Sequence, residues 1–593
     1  MQSVSQKWKD NQNNLLVGES DIEVSIKLTD PDAYEDASAT DNGHVAFSNT
    51  NHIVADGEKN IRPYATLERN LWLLDGSREV VPASNYGEVG FVDDSLSLED
   101  RTFSANPIVT IDFTKVHTNL LQGITITWSD FLNEYAEEFI VTAYNGTNVI
   151  AKKTIAENSS VVSAVMVDIV NYDSITIEIV KWSMPLRRAR IDEVFIGANI
   201  IFSKKDVFSY SSSYNADPIS AELPKSEVSF SIDNVDKSYN PYNEEGLTKY
   251  LMERQEISVR YGFKLESGIE WISGGKFYLS EWDAKQGSMS AEFKARDLLE
   301  FMTGTYNKGL YNPNGTSLYD LAEDVLNDAN LPLNVDGSVK WIIDNSLKNI
   351  YTIAPLPIDT HANCLQLITN AGGCVMYQDR EGILRISKLS TSVSDYIIND
   401  FNSYSKSDLS LSKPLKQVEV PYYSYSVSEE LSELFNGVVN INGSSDVLIT
   451  YSAMATDVQA KITNGTLNSA KYYTNACVLN ITASGDVKIL VDGYGLGASS
   501  IMVTTLDSDS GETVSVDNPL ITSQERAIAV GSWVRDYMKN RMTLSSSWRA
   551  DPRLDALDVV NNENEYGTNH MLMTSVKYSY NGAFRGSGEG RVI

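Results

Sequence analysis

Apolar residues recur at every second position through much of this chain, and that alternation predicts strands. Ile22-Glu23-Val24-Ser25-Ile26-Lys27-Leu28 is the first clear case, preceded by a short polar helix near Ser5 to Asn13. Runs of strand composition follow at 108–113, 124–128, 139–144 and 174–180, with Asn145-Gly146 as a turn. Residues 228–233, 256–263 and 275–282 alternate in the same way, and 290–302 reads as a strand leading into a short helix that docks Leu298, Phe301 and Met302. The period becomes helical in three places. Leu318, Leu321, Ala322, Val325, Leu326 and Ala329 predict a helix over 317–329, capped by Thr316 or Ser317. A second helix spans about 363–371 and stops at Gly372-Gly373, where 374–386 then forms a hairpin. The third covers about 523–538, using Ile528, Val534, Tyr537 and Met538. Residues 487–491 and 501–505 read as two strands, with Gly493-Tyr494-Gly495-Leu496-Gly497 as the hairpin loop between them. Near the end, Pro552 biases Asp551 to an extended backbone in a loop that feeds the Val559-Val560 strand. Residues 573–580 alternate once more before an Asn581-Gly582 turn.

Composition sharpens this into a fold class. A chain of 593 residues is too long for one core and implies roughly three to five units. Its 31 Tyr and 9 Trp, with many Thr, Val and Ile, favour strands, so the fold expected is mainly β with smaller α/β parts. The 48 basic and 79 acidic residues leave a net charge of −31, which opposes nucleic-acid binding because phosphates demand a positive footprint. Cys364, Cys374 and Cys477 are too few to staple such a chain and lack zinc spacing; they read as small buried apolar residues. The start, Met1 to Lys9, has no apolar signal core, and no run of about 18 apolar residues occurs. Synthesis in a cytosol without stable membrane insertion is therefore expected, and the Asn-x-Ser/Thr matches at Asn145, Asn314, Asn442 and Asn480 read as products of composition.

Candidate chemistry is sparse. A nucleotide loop needs a helix after its glycines, and Gly493 to Gly497 is followed by a strand. Asp507 to Glu512 has its glycine one place early for a calcium loop and lacks the distal glutamate, so a solvated turn is expected. His44, His52, His117, His361 and His570 form no i,i+4 metal pair and suit surface or singly hydrogen-bonded roles. No nucleophile elbow or Cys/His signature is present, and paired carboxylates for glycoside cleavage cannot be picked out by spacing among 79 acids. No catalytic, cofactor or metal residues are predicted. For sugar binding, Trp72, Tyr86, Trp128 and Trp182 offer faces for stacking, and Arg187, Arg188 and Arg190 offer donors; Trp72, Trp128, Arg187 and Arg188 are the glycan-contact candidates. Aromatics at strand spacing equally fill a core, the bland alternative.

Four tracts resemble one family in one order. Ala295-Arg296-Asp297 with Leu298, Phe301 and Met302, the Gly372 to Ile386 succession, Trp548 to Val560, and Tyr580 to Arg591 all resemble bacteriophage tail or baseplate hub proteins. The stretch from Asn70-Leu71-Trp72-Leu73-Leu74-Asp75-Gly76 to Pro185-Leu186-Arg187-Arg188-Ala189-Arg190-Ile191 is similar to galactose-binding-like (discoidin-type) modules in tail proteins of phages of Gram-positive bacteria. The resemblance implies this domain map: 1–56, first part of a hub β-barrel; 57–200, an inserted β-sandwich of jelly-roll type; 201–303, the rest of that barrel; 304–400, a middle α/β domain; 401–515, a second β domain; 516–593, a C-terminal helix and closing strands. It also implies a non-enzymatic virion protein of the tail tip or baseplate, a homotrimer in which two barrel-like domains per subunit adapt a sixfold tube to a threefold tip. Its expected partners are tail tube or distal tail proteins, a tape measure protein, tip or spike and baseplate proteins, with cell-wall glycan at the inserted module. No cell-wall hydrolase domain is expected in the chain. The alternative is a carbohydrate-binding adhesin or glycan-acting enzyme that uses the 57–200 module.

Overall fold

The computed structural model describes residues 1–593 apart from 15–16, 30–32, 34–35, 55–63, 67, 70, 73–78, 81–88, 119, 241, 244–250, 252, 266–267, 286, 333–337 and 550. Tyr86, one of the aromatic residues proposed for stacking, lies outside the described set. The protein is mainly β and built of several sheets.

Alternation places one row of side chains from each strand into a common core, and the largest sheet collects such strands from both ends of the chain. Its order is Gly197–Ser203, Ser20–Thr29, Glu256–Leu265, Gly268–Asp283, Ser290–Arg296, Lys225–Asp233, Val207–Asn215, Gly567–Tyr580, Phe584–Val592, Met542–Arg549 and Asp408–Leu411. Val559–Asn564 also pairs with Gly567–Tyr580 and carries Val393–Ile398 on its far side, making thirteen strands. The seam between the two ends is antiparallel, from Tyr210 opposite Tyr580 to Asn215 opposite Ser575. One hydrophobic core runs beneath both sides of it, from Ile22 and Ile257 to Trp548, Tyr578 and Phe584.

The final strand shows why its glycines stand at every second position. Trp548 faces Gly586 across the sheet, and a Cβ on Gly586 would come within 2.7 Å of the indole. At Gly590 a Cβ would sit 2.5 Å from Met571 Cγ. Bare backbone on that face lets large side chains lie flat on the strand.

Thr29 and Gly197 are cross-strand partners, and between them the chain leaves the large sheet to build a separate sandwich. Its five-stranded sheet runs Ser38–Asp41, Ile108–His117, Tyr172–Trp182, Ala136–Asn145 and Asn148–Ile155, and its three-stranded sheet runs Val162–Ile169, Leu121–Thr127 and Glu193–Phe195. Ile111, Ile126, Phe139, Ile177 and Trp182 are fully buried between them. The sandwich starts earlier than the 57–200 span read from the sequence. Ser38–Asp41 pairs with Ile108–His117, and Ala39, Ile53 and Val54 join the sandwich core. The strand at 38–41 was hidden in a polar stretch because only Ala39 of its four residues is buried.

The middle unit packs helices Leu318–Asp328 and His361–Gly372 against a sheet of Trp341–Ile343, Leu384–Ser387 and Val375–Gln378. Ser317 and Thr360 cap the helices with their hydroxyls, and Gly373 ends the second in the left-handed conformation at φ 60°. Helix Gln524–Met538 shares this core through Ala527, Val530 and Val534. It therefore separates from the closing strands with which the 516–593 span groups it. Asp408–Leu411 likewise joins the large sheet, not the unit formed by the residues that follow it.

That unit is dominated by two long strands, Leu415–Thr450 and Ala476–Leu506, paired along their whole length with two bulges. Ala455–Thr463 and Thr466–Tyr472 flank the second of them, and Ile441, Leu479, Val487, Ile489 and Val491 form a small core of their own. Gly493 to Gly497 is not the hairpin loop predicted. It lies inside the second strand, where Gly493 continues the buried phase of Val487, Ile489 and Val491. A glycine is needed there because a Cβ would meet Leu434 Cδ1 at 2.8 Å.

Candidate functional site

The glycan candidates separate into different environments. Trp128 is fully buried in the sandwich core, edge-on to Phe139 and Trp182 at ring distances of 5.0 and 6.0 Å, with Nε1 donating to Ser163 Oγ at 2.8 Å. This corrects its assignment as a glycan contact: its face is covered by protein. Trp182 is buried beside it and donates to Glu134 Oε2 at 3.0 Å. Trp72 is half-buried, donates through Nε1 to Thr66 Oγ1 at 2.8 Å, and lies nearly parallel to the exposed Phe131 ring at 6.1 Å. Arg187 is tied to the Arg69 carbonyl at 3.2 Å and to Glu134 at 3.3 Å. Arg188 donates to the Asp93 and Asp94 carbonyls, and its backbone N–H donates to Glu68 Oε1 at 2.8 Å. Arg187 and Arg188 thus each tie loops of the sandwich together through part of their donor set.

Around Trp72 the structure assembles a hollow that spacing could not reveal. Phe47, Tyr64, Thr66, Trp72, Phe131 and Asp192 line it, and it encloses about 30 Å³. That is room for no more than a few waters, so any sugar would lie across it. Behind it, Glu68 and Arg190 form a buried ion pair. Burial pushes the Glu68 carboxyl up, but the hydrogen bond and charge of Arg190, with Thr66, more than offset this and hold it below its ordinary range. Asp192 makes no such ion pair among the described residues, and burial pushes it up to about 7 although the Asp130 N–H donates to it at 3.0 Å and the Arg190 charge opposes the rise. Pairing Glu68 with Arg190 and Glu134 with Arg187 across more than fifty residues leaves no trace in local sequence.

A second feature lies at the junction of the chain's two ends. The hairpin turn after Gln378 projects Arg380 into the seam, where its side chain is 2% exposed. Its guanidinium donates to the carbonyls of Ser273, Pro552 and Leu554 at 2.9, 2.6 and 2.8 Å and pairs with Asp555. It also lies over the rings of Tyr214, Tyr261 and Tyr578 at 5.1 to 5.8 Å. The hydroxyls of Tyr210 and Tyr214 meet that of Tyr261 at 2.6 and 2.9 Å, and burial raises all of these phenols well above their ordinary range. A cleft of about 260 Å³ beside this cluster is lined by Tyr377, Gln378, Arg380, Lys388, Asp555 and Asp558 among others. The Trp548 to Val560 tract explains itself here too. Asp551 accepts from Trp8 Nε1 at 3.0 Å and Arg553 Nε at 2.7 Å, while Tyr396 donates to its carbonyl.

Among the described residues no group of three or more His, Cys, Asp or Glu stands ready to hold a metal. His117 and His361 are buried, and each faces one carboxylate, Asp36 at 2.9 Å and Asp328 at 3.0 Å. The three cysteines are free and buried. No helix among the described residues is long and apolar enough to cross a membrane.

A scan against protein-family models finds no match, and no curated protein matches. Solved structures do. The likeness is to phage tail proteins. The chain is similar to the 43 kDa tail protein of prophage MuSo2 from Shewanella oneidensis, with a TM-score of 0.37 and 11% identity over 66% of this chain and 95% of that one. It is similar to a tail protein from Neisseria meningitidis, with a TM-score of 0.39 and 8% identity over 66% and 93%. The prophage tail protein gp18 from Listeria monocytogenes matches with a TM-score of 0.36 and 10% identity over 66% and 91%.

Proposed function

We propose that this chain is a structural virion protein, the homotrimeric central hub of a phage tail tip or baseplate. The observation that carries the reading is the seam. Strands from residues 20–296 and 542–592 form one continuous sheet over one core, locked where Arg380 binds carbonyls on both sides. A part that passes load from a tube to a tip needs two joined lobes that cannot hinge, and a shared core with a buried cation at the joint supplies that. Chemistry, by contrast, would need convergent reactive groups, and Arg380, Asp555 and the tyrosines are spent on one another. In this reading the hub meets tail tube or distal tail proteins and the tape measure on one side, and tip, spike and baseplate proteins on the other, in the assembled virion. Electron microscopy of the purified chain is the test: a threefold ring with a central channel is expected, and a monomer at every concentration would overturn it.

The sandwich between Thr29 and Gly197 is proposed to stand at the periphery, bracing neighbouring baseplate proteins or touching wall glycan. What supports glycan contact is the Trp72 and Phe131 pair, two near-parallel rings at the rim of a hollow, with Phe131 48% exposed. On a glycan array, a hit that Trp72→Ala abolishes while the fold is retained supports contact. A hit that Trp72→Ala leaves intact removes Trp72 from the role.

A further inference from the structure

Strand positions favour β-branched and aromatic residues, which cover the pleated surface. Where the last strands of the chain lie side by side in the large sheet, serine stands at the outward positions instead. Register places Asp408, Ser545, Glu589 and Ser575 in one row across four adjacent strands, on the face away from the core. Two residues along, Ser547, Ser587 and Lys577 form a second row. The rows beyond carry longer side chains, Arg549 and Arg585 at one end and Thr543 and Arg591 at the other. Short side chains set between longer ones leave a groove of about 310 Å³.

The lining restricts what can fill it. Small-ligand sites span roughly 300–1,000 Å³, so the groove has room for a small molecule or one unit of a chain. Among the described residues no apolar side chain lines it, so neither an apolar ligand nor the apolar centre of a protein contact gains by entering. An anion seated there would meet the carboxylates of Asp408 and Glu589, which no ion pair neutralises among the described residues. The hydroxyls of Ser545, Ser547, Ser575 and Ser587 and the Lys577 ammonium likewise have no partner within the described chain. Their neighbour Ser546 points to the buried side and is already paired with Ser407 at 2.6 Å. What remains is an open grid of groups that donate, accept or do both.

We propose that this groove binds an uncharged saccharide. A sugar hydroxyl both donates and accepts, as a serine hydroxyl does, and each free carboxylate accepts from sugar hydroxyls through two oxygens. The donors and acceptors stand on paired strands about 4.8 Å apart, so their spacing is set before a ligand arrives and little ordering is lost on binding. At the arginine end Tyr404, 55% exposed, lies against Arg585 at 5.7 Å and adds an aromatic ring for the C–H face of a sugar. The groove belongs to the large sheet and the Trp72 hollow to the sandwich, so the two are different sites. The inference does not rest on the hub reading.

The full chain on an array of uncharged and phosphorylated oligosaccharides, followed by titration of each uncharged hit, tests it. Uncharged members should bind. Asp408→Asn and the Ser545→Val, Ser587→Val double variant should each weaken that binding about ten-fold or more, the loss expected of one hydrogen bond to a charged group or of two neutral ones. Ser229→Val, exposed on the same sheet but outside the groove, should leave it unchanged. No binding to any uncharged member overturns the inference, and so does binding confined to the phosphorylated ones. Binding that Trp72→Ala abolishes and the groove variants leave intact belongs to the sandwich and overturns it too. A double variant that changes the oligomeric mass in light scattering and not saccharide binding makes the groove a protein contact instead. Valine suits an exposed strand position, and if the double variant nonetheless fails to fold, Asp408→Asn decides alone.

Discussion

Arg380 concentrates more of the fold than any sequence pattern around it suggests. It sits in a polar turn, Asp379-Arg380-Glu381-Gly382, where an arginine ordinarily faces water, yet it satisfies oxygens of residues 273, 552, 554 and 555. Arg380→Met keeps the volume but strands those carbonyls and a carboxylate in a closed space. A loss of about 3–5 kcal/mol is expected from removing one partner of a buried charge network, read as a lower denaturant midpoint. Asp192 makes a second case. Its carboxyl titrates near 7 in the fold against 3.8 ordinarily. Between those values the folded chain holds a proton that the unfolded chain has released, so stability falls as pH rises through the window and is lowest above it. Asp192→Asn keeps an oxygen to accept from the Asp130 N–H and has no proton to lose. Exchange protection of strand Ala136–Asn145 should therefore drop from pH 5 to pH 8 in the natural chain and stay level in the variant; equal drops would refute the assignment. Neither role was legible in the sequence, and for the same reason Trp72 and Trp128 looked alike there. Strand spacing assigns a side chain to a face but not to the side the rest of the molecule covers.

At the scale of elements the alternation carried far. The helices at 317–329, 363–371 and 523–538 lie where their periodicity placed them, with Ser317, Thr360 and Ser523 as their caps. The final hairpin turns at Asn581-Gly582, with Gly582 at φ 81°. The failure at Gly493 to Gly497 is instructive because glycine signals two opposite things, a turn or a close approach within a strand. Here the buried phase passes unbroken through Gly493, and that parity was present in the residues. Gly493→Val tests the point. On a loop it would be neutral; inside the strand its side chain must displace Leu434 Cδ1 and Val458 Cγ2, which a Cβ alone would meet at 2.8 and 3.1 Å. Overpacking of this kind costs about 1–3 kcal/mol, visible as a lower melting temperature.

At the scale of the molecule, what no local pattern could disclose is that the first and last strands share a sheet. Pairing across more than 350 residues is set by which cores remain open once each unit has closed, and the sandwich closes by itself. Its core and the core of the large sheet have no residue in common. Its entry and exit, Thr29 and Gly197, are already hydrogen-bonded neighbours on adjacent strands. An insertion of that form taxes the host sheet little, since strands 20–29 and 197–203 would pair just as well across a tight turn. Replacing residues 30–196 with Asn-Gly, which favours a two-residue hairpin, should therefore leave the large sheet intact. The shortened chain should keep the oligomeric mass of the full chain in light scattering, and its particles should lose peripheral density but not their centre. Collapse to monomers would mean that the sandwich is part of the contact between copies.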